Sequence, residues 1–102
     1  MSNLNKAQID SVISLFNDEK FQEALDALKV LNNEYPNVPL IFNLMGACYK
    51  SLGQTDNALE VFEIASKIKP DYAEAYFNQG VIHQELNMLD KAIYSYKKTI
   101  EI

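Results

Sequence analysis

Residues 39–70 read PLIFNLMGACYKSLGQTDNALEVFEIASKIKP, and the sequence on both sides repeats their pattern at an offset of 34 residues. The offset aligns residues of three kinds, namely prolines (Pro36 with Pro70), glycines (Gly46 with Gly80) and alanines (Ala24 with Ala58 and Ala92). Agreement in breaker and small residues at one fixed spacing is hard to obtain by chance. The chain therefore consists of copies of one repeat, and this repeat determines its fold.

The glycines of the repeat indicate close helix packing. Gly46 and Gly80 lie within apolar helical patterns, where glycine costs about 1 kcal/mol relative to alanine. That cost is tolerable where two helices must approach closely. On the second helix of each pair, Phe62 and Tyr96 each follow the aligned alanine by four residues and share its helix face. The pattern predicts helix hairpins in which small residues face large ones.

The period resembles the tetratricopeptide repeat, a helix–turn–helix unit of 34 residues. The middle copy matches the family pattern most fully, at Phe42, Met45, Gly46, Tyr49, Gly53, Ala58, Phe62, Ala65 and Pro70. The third copy departs from it at Gln79, His83, Asn87 and Thr99, and the first at Gln8 and Val12. The resemblance covers nearly the whole chain. It implies an all-α fold of three repeats, six helices in all, stacked as a right-handed α-solenoid.

We expect a single domain over residues 1–102, with repeats at 5–38, 39–72 and 73–102, the last incomplete. The predicted helices span about 4–17, 20–34, 39–52, 55–68 and 71–86, and a sixth begins near 89. Asn3 or Asn5 is expected to cap the first helix and Asn37 the third, and Asp71 with Glu74 is expected to form a capping box for the fifth. Gly53 and Asn87 are expected in the left-handed conformation.

The third repeat stops before its period is complete, and no polar capping helix follows it. We therefore expect an uncovered face at Ile93, Tyr96 and Ile100. Either the chain is the N-terminal part of a longer protein, which we favour, or this face forms a homo-oligomer. The Lys, Asn and Ile usage and the family likeness suggest a bacterial source.

The composition excludes several classes of partner. The net charge is −5 and the pI is about 4.7, so neither nucleic acid nor an anionic membrane is an expected partner. No apolar run approaches the ~20 residues that a membrane span needs, and no signal peptide is recognisable. The single cysteine excludes an internal disulfide framework and suits a reducing compartment, so we expect a cytoplasmic protein.

Few residues are candidates for catalysis. Cys48 lies among apolar neighbours and is interpreted as a small buried hydrophobic residue rather than a reactive thiol. His83 stands where the family usually has tyrosine and is interpreted as a packed residue. One histidine and one cysteine cannot form a zinc cluster, and no phosphate-binding loop or nucleophile elbow is present. We expect no enzyme activity and no cofactor.

The resemblance implies a concave groove formed by the first helix of each repeat, which would bind a peptide or a helix. By register its candidate residues are Ile9, Ile13, Phe16, Asn43, Leu44, Ala47, Lys50, Glu74, Phe77, Asn78, Val81 and Gln84. Four of them (Ile9, Ile13, Leu44 and Val81) could equally serve packing between helices. Phe77, Asn43, Asn78 and Lys50 are the stronger candidates for contact, because the hairpin interface does not need them.

Some members of the family hold a C-terminal carboxylate with a clamp of Lys, Asn and Arg. At the matching positions this chain has Ile9, Ile13, Leu44, Glu74 and Asn78. Since none is a cation and Glu74 would repel a carboxylate, clamp-type recognition of chaperone tails is not expected. Apolar contacts and Asn-mediated hydrogen bonds are expected instead.

Three functions stay open at this point. The first is a non-catalytic protein-interaction scaffold that binds a peptide or helix. The second, by analogy with repeat arrays that precede glycosyltransferase or sulfotransferase domains, is a substrate-recognition or assembly module of a larger enzyme. The third is self-assembly through the uncapped third repeat.

Overall fold

The computed structural model describes residues 4–102, which form six α-helices and no strand. The helices are α1 (Lys6–Asn17), α2 (Phe21–Glu34), α3 (Pro39–Ser51), α4 (Thr55–Ile68), α5 (Ala73–Glu85) and α6 (Leu89–Glu101). Each packs mainly against its neighbours in the chain, so that three helix pairs stack into a body of 39 × 29 × 18 Å. The prediction of an all-α solenoid of three helix–turn–helix repeats is confirmed.

The first helix begins at a capping box. The side chain of Asn5 accepts from the backbone N–H of Gln8 at 2.9 Å, and the side chain of Gln8 accepts from the backbone N–H of Asn5 at 3.1 Å. Two backbone donors that the helix leaves unpaired are thereby satisfied. The predicted cap at Asn5 is confirmed, while the alternative at Asn3 lies outside the described residues.

The third helix begins without the predicted cap. It starts at Pro39, and its N-cap residue is Val38, which makes no side-chain hydrogen bond. Asn37 instead adopts φ 64° in the turn that precedes the helix. A residue in that left-handed conformation lies outside the helix start, so the prediction that Asn37 caps α3 was wrong.

The fifth helix also differs from its predicted start. Its N-cap residue is Tyr72, without a side-chain hydrogen bond, and its first residue is Ala73. Asp71 therefore lies one residue too early to cap the helix, and Glu74 is the second helical residue rather than the third. The predicted capping box of these two carboxylates was wrong, because the turn after the proline is one residue longer than we assumed.

The three hairpins turn at equivalent positions. Glu19, Gly53 and Asn87 adopt φ 61°, 76° and 59°, and they are spaced by the repeat period. The left-handed conformation lets the backbone reverse after the first helix of each pair. The predictions for Gly53 and Asn87 are confirmed, and Glu19 shows that the first repeat uses the same turn with a less suited residue.

The core joins the repeats along the stack. Buried side chains from α1 to α4 form one cluster around Leu25, Leu28 and Ile41, and a second cluster links Phe62 of α4 to Ile82 of α5. The helix α1 contributes only one buried residue, Val12. Thus α3 and α4 pack through apolar side chains against the first repeat and against α5, whereas α1 lies at the edge of the core.

The last repeat is the least covered. Leu25 is 1% exposed, its equivalent Leu59 is half-buried, and the next equivalent, Ile93, is 52% exposed. Ile100 is 83% exposed. Tyr96 behaves differently, because its ring packs on Gly80 within its own hairpin. Of the three residues predicted to form an open face, Ile93 and Ile100 lie on it, and self-association through them stays a prediction.

Candidate peptide-binding groove

Helices α1, α3 and α5 are the first helices of the three pairs, and we call the surface that they share the groove. Between α1 and α3 the groove contains a pocket of about 190 Å³, which we call the apolar pocket. It is lined by Val12, Ile13, Phe16, Leu44, Ala47 and Cys48. No charged side chain and no amide lines it, so it can hold an apolar group but offers no hydrogen bond to orient a polar one.

The apolar pocket brings together four of the predicted groove residues, which are Ile13, Phe16, Leu44 and Ala47. Ile13 is 39% exposed, and the other three are half-buried. Ile13 and Phe16 belong to α1 and Leu44 and Ala47 to α3, so two repeats line the pocket together. Because α1 lies at the edge of the core, part of these side chains stays exposed.

Val12 and Cys48 line the same pocket, and we had not placed them in the groove. Val12 stands at the position that Gly46 and Gly80 occupy in the other two repeats. Where the other two repeats have no side chain at this position, the first repeat has a valine that is 2% exposed. The departure from glycine was visible in the sequence and could have marked Val12 as a residue to examine.

Between α3 and α5 the groove is polar. Asn78 donates through Nδ2 to Asn43 Oδ1 at 3.1 Å, and Asn43 donates through Nδ2 to Glu74 Oε2 at 3.5 Å. Asn43 is 7% exposed, whereas Glu74 is exposed. Both Nδ2 and Oδ1 of Asn43 are thus hydrogen-bonded at the interface between the repeats. Asn78 and Glu74 keep hydrogen-bonding positions that a ligand could use.

The network also affects a neighbouring phenol. Burial raises the pKa of Tyr72, and the charge of Glu74 raises it further, while a hydrogen bond with Asn43 acts in the opposite direction. The phenol therefore stays neutral at physiological pH and can act as a hydrogen-bond donor beside the two carboxamides. This end of the groove combines neutral polar groups with one carboxylate.

A salt bridge joins the C-terminal ends of α3 and α5. Lys50 Nζ lies 3.1 Å from Glu85 Oε1, and both side chains are about half exposed. An ion pair at such an exposed site contributes about 0–1 kcal/mol. Lys50 was one of our stronger candidates for ligand contact, and in the structure a ligand carboxylate would compete with Glu85 for it.

A second cavity of about 320 Å³ adjoins the polar network and is lined by residues of α5 and α6. It brings together Glu74, Phe77 and Asn78 with two residues that we had not predicted, Ala73 and Thr99. Phe77 is 49% exposed, and its ring centroid lies 5.9 Å from that of Tyr96. An exposed aromatic ring beside a carboxylate suits a mixed apolar and cationic contact.

The other predicted groove residues lie outside both cavities. Ile9 and Val81 are half-buried, which agrees with a role in packing. Gln84 accepts a hydrogen bond through Oε1 from the hydroxyl of Tyr96 at 2.7 Å. Which of these residues contacts a ligand stays a prediction.

The two residues considered for catalysis are both packed. Burial raises the pKa of the Cys48 thiol to about 11, so the thiol is protonated and unreactive near neutral pH. His83 is 7% exposed. Within residues 4–102 no three His, Cys, Asp or Glu side chains lie close enough together to hold a metal ion. None of the six helices described is long and apolar enough to cross a membrane.

Two protein-family models match the chain. A model described as "TPR repeat" matches residues 46–87, and one described as "Tetratricopeptide repeat" matches residues 73–102. Together they cover residues 46–102, which is more than half of the chain. The first repeat lies outside both matches, in agreement with its departures at Gln8 and Val12.

Curated relatives resemble the chain over part of their length. It is 34% identical over 84 residues to the heat shock protein STI1 of Saccharomyces cerevisiae, a match that covers 82% of this chain and 13% of STI1. It is 38% identical over 80 residues to the probable UDP-N-acetylglucosamine–peptide N-acetylglucosaminyltransferase SPINDLY of Hordeum vulgare, covering 78% of this chain and 8% of that protein. The chain thus spans less than one fifth of either relative.

Solved structures share the fold. The crystal structure of MamA superposes with a TM-score of 0.84 at 28% identity, covering 88% of this chain and 53% of that one. The first TPR domain of Spaghetti (RPAP3), bound to the HSP90 peptide SRMEEVD, superposes with a TM-score of 0.87 at 21% identity, covering 93% and 75%. With the 34-residue period, the six stacked helices and the two family models, these likenesses establish that the chain belongs to the tetratricopeptide repeat family.

Proposed function

We propose that the chain is a non-catalytic protein-interaction scaffold that binds a peptide segment or a helix in the groove. The observation that carries the proposal is the apolar pocket between α1 and α3, which contains only apolar side chains and the Cys48 thiol. Its volume of about 190 Å³ is below the range of about 300–1,000 Å³ typical of small-molecule sites. The pocket suits one apolar side chain of a partner.

The rest of the groove would orient the bound segment. Asn78 can hydrogen-bond the backbone of a peptide, and Phe77 offers an exposed ring for a second side chain. Asn43 would act indirectly, since it holds Asn78 and Glu74 in place. A segment that spans both sites would place an apolar residue between α1 and α3 and a basic or polar one near Glu74.

The partner is expected to differ from an acidic chaperone tail. The Spaghetti domain was solved with the peptide SRMEEVD, which carries three acidic side chains. Our chain has a net charge of −5 and presents Glu74 in the groove, so it would repel such a peptide. At the positions that match the carboxylate clamp it has Ile9, Ile13 and Leu44, which favour apolar contacts.

A second candidate is a substrate-recognition module within a larger enzyme. The likeness to the SPINDLY glycosyltransferase favours it, because that match covers 78% of this chain but only 8% of the enzyme. In this case the same groove would bind the protein substrate, while the catalytic residues would lie outside residues 4–102. The two candidates therefore make the same prediction for the apolar pocket.

Selection from a displayed library of linear peptides tests the proposal. Peptides that bind the wild-type chain should share one apolar residue at a fixed position. Ala47→Leu would fill the apolar pocket and should weaken the selected peptides about tenfold or more, since burial of one apolar side chain contributes about 1.5–3 kcal/mol. Glu60→Leu, an exposed change on α4, is the matched control and should leave binding unchanged.

Two results would overturn the proposal. One is selected peptides that bind Ala47→Leu as tightly as the wild type, which would place binding outside the apolar pocket. The other is a library that yields no groove-binding peptide although circular dichroism shows the chain to be folded.

A further inference from the structure

A third cavity, distinct from the groove, lies on the opposite side of α5. It is bounded by α4 and α6 and has a volume of about 530 Å³, larger than either cavity of the groove. We call it the outer cavity. Its floor contains three polar residues that are almost fully buried, namely Gln79 and His83 at 7% exposure and Ser95 at 2%.

The preceding repeat has apolar residues at the equivalent positions. Gln79 corresponds to Met45, His83 to Tyr49 and Ser95 to Val61. In that repeat Met45 and Val61 are part of the buried core, and Tyr49 packs against both hydrophobic clusters. Packing alone does not favour three polar residues at positions that are filled by hydrophobic side chains in the preceding repeat, because buried polar groups need partners.

The polar groups on the floor of the outer cavity are only partly hydrogen-bonded within residues 4–102. Gln79 donates through Nε2 to the carbonyl oxygen of Phe62 at 3.2 Å and to Ser66 Oγ at 3.0 Å, and both bonds leave Oε1 available as an acceptor. Nδ1 of His83 is buried and has no hydrogen-bond partner among the described residues. A buried polar atom without a partner is costly, so packing alone does not account for a histidine at this position.

The rim of the outer cavity carries unpaired charges. Glu63 and Asp90 line it together with one cation, Lys91, and none of the three is in a salt bridge within the described residues. The position of Glu63 corresponds to Lys29 in the preceding repeat, where the ammonium group lies 5.9 Å from the ring centroid of Tyr49. Glu63 belongs to the second repeat and Lys29 to the first, so the charge at this position is reversed where the second and third repeats enclose the outer cavity.

We propose that the outer cavity is a second binding site, which takes an arginine side chain of a protein partner. A guanidinium group has five N–H donors and no acceptor, and it is less strongly hydrated than an ammonium group. The acceptors it needs are Oε1 of Gln79, the hydroxyl of Ser95 and the carboxylates of Glu63 and Asp90. Those carboxylates outnumber the cation Lys91, so the cavity favours a cationic over an anionic group.

A titration with single amino-acid derivatives, followed by ¹H–¹⁵N NMR, tests the proposal. The probes are N-acetyl-arginine amide and its acidic counterpart, N-acetyl-glutamate amide. The arginine probe is expected to shift the backbone signals of Gln79, His83 and Ser95, and the glutamate probe is not. His83→Tyr restores the residue of the preceding repeat, fills the cavity and should weaken the arginine probe about tenfold or more.

Two further variants keep the test decisive. If His83→Tyr fails to fold, Ser95→Val is used instead, because it restores the valine found at the equivalent position, Val61. It should weaken binding of the arginine probe by the same factor. Glu63→Gln combined with Asp90→Asn leaves the floor intact and should weaken the arginine probe by a similar factor. The proposal is overturned if the arginine probe shifts none of the three floor residues, if the glutamate probe shifts them instead, or if the filled variant binds as the wild type does.

Discussion

The ring of Phe62 on α4 lies directly against the backbone of Gly46 on α3. A β-carbon at position 46 would come within 2.6 Å of Phe62 Cδ1, closer than two carbon atoms can approach. The same relationship recurs one repeat later, where a β-carbon at Gly80 would lie 2.7 Å from Tyr96 Cε1. Each of these hairpins is closed by an aromatic ring on a glycine, and this contact sets the distance between its helices.

Gly46→Ala is expected to destabilise the chain by about 1–2 kcal/mol. Overpacking a well-filled site costs about 1–3 kcal/mol, and the better helix propensity of alanine recovers up to about 1 kcal/mol. Urea unfolding followed by circular dichroism measures the change. Gly80→Ala is the matched control and should cost less, because Tyr96 is only half-buried and can move. Equal losses at the two positions would contradict this account of the hairpin.

Asn87→Gly is expected to stabilise the chain by about 0.5 kcal/mol. Asn87 holds φ 59° at the hairpin turn, where the equivalent residue is Gly53 with φ 76°. Glycine adopts this conformation without the steric cost that a β-carbon imposes. The reciprocal change, Gly53→Asn, should lower stability by a similar amount, since no atom lies within 4 Å of the position that its β-carbon would take. Opposite signs for the two variants in thermal unfolding are the expected result.

Cys48 is expected to react with a thiol reagent only when the chain unfolds. The side chain is 1% exposed, and burial raises its pKa to about 11, so little thiolate is available near pH 8. Reaction in native buffer should be slower than in urea by orders of magnitude. Fast reaction of the native chain would mean that the apolar pocket above Cys48 opens readily.

The same thiol makes stability depend on pH in the alkaline range. Its pKa is about 11 in the folded chain and 9.0 for an exposed thiol, so between these values the folded state keeps the proton and the unfolded state loses it. Stability should therefore fall by roughly 1–3 kcal/mol as the pH rises from 9 to 11. Comparison with Cys48→Ala separates this effect from the titration of tyrosines. An identical pH dependence in that variant would contradict the prediction.

Glu74→Lys is expected to change which peptides the groove accepts. The wild-type chain should bind the peptide SRMEEVD weakly or not at all, because Glu74 repels its acidic side chains. Replacing the carboxylate by an ammonium group should raise the affinity for SRMEEVD about tenfold or more at low salt, and high salt should reduce the gain. Isothermal titration calorimetry measures both. Tight binding of SRMEEVD by the wild type would refute our interpretation of the groove.

The positions and types of all six helices could be predicted from the sequence, since the repeat period supplied three copies of one pattern. The caps were less predictable. Asn5 was one of two candidates for the first cap and is confirmed, but Asn37 and Asp71 were assigned roles that the turns after Pro36 and Pro70 do not allow. A cap depends on the conformation of a single residue, and a shift of one position along the turn removes it.

The groove was predictable only in part. The register placed Ile13, Phe16, Leu44 and Ala47 on one surface, and the structure brings them into one pocket. Register could not show that Asn43 is buried and hydrogen-bonded to Asn78 and Glu74, because those bonds join helices of different repeats. Register did place Tyr96 in its own hairpin, and the structure packs its ring on Gly80.

By itself the sequence determined the repeat, its helix pairs and the residues that close each hairpin, because these depend on spacing along one chain. Only the tertiary structure decided where the repeats leave space. The apolar pocket lies beside Val12, where the other repeats have glycine, and the outer cavity lies beside His83, which stands at the position equivalent to Tyr49. A cavity is the gap left between side chains of several helices, so its size depends on distances that no single repeat contains.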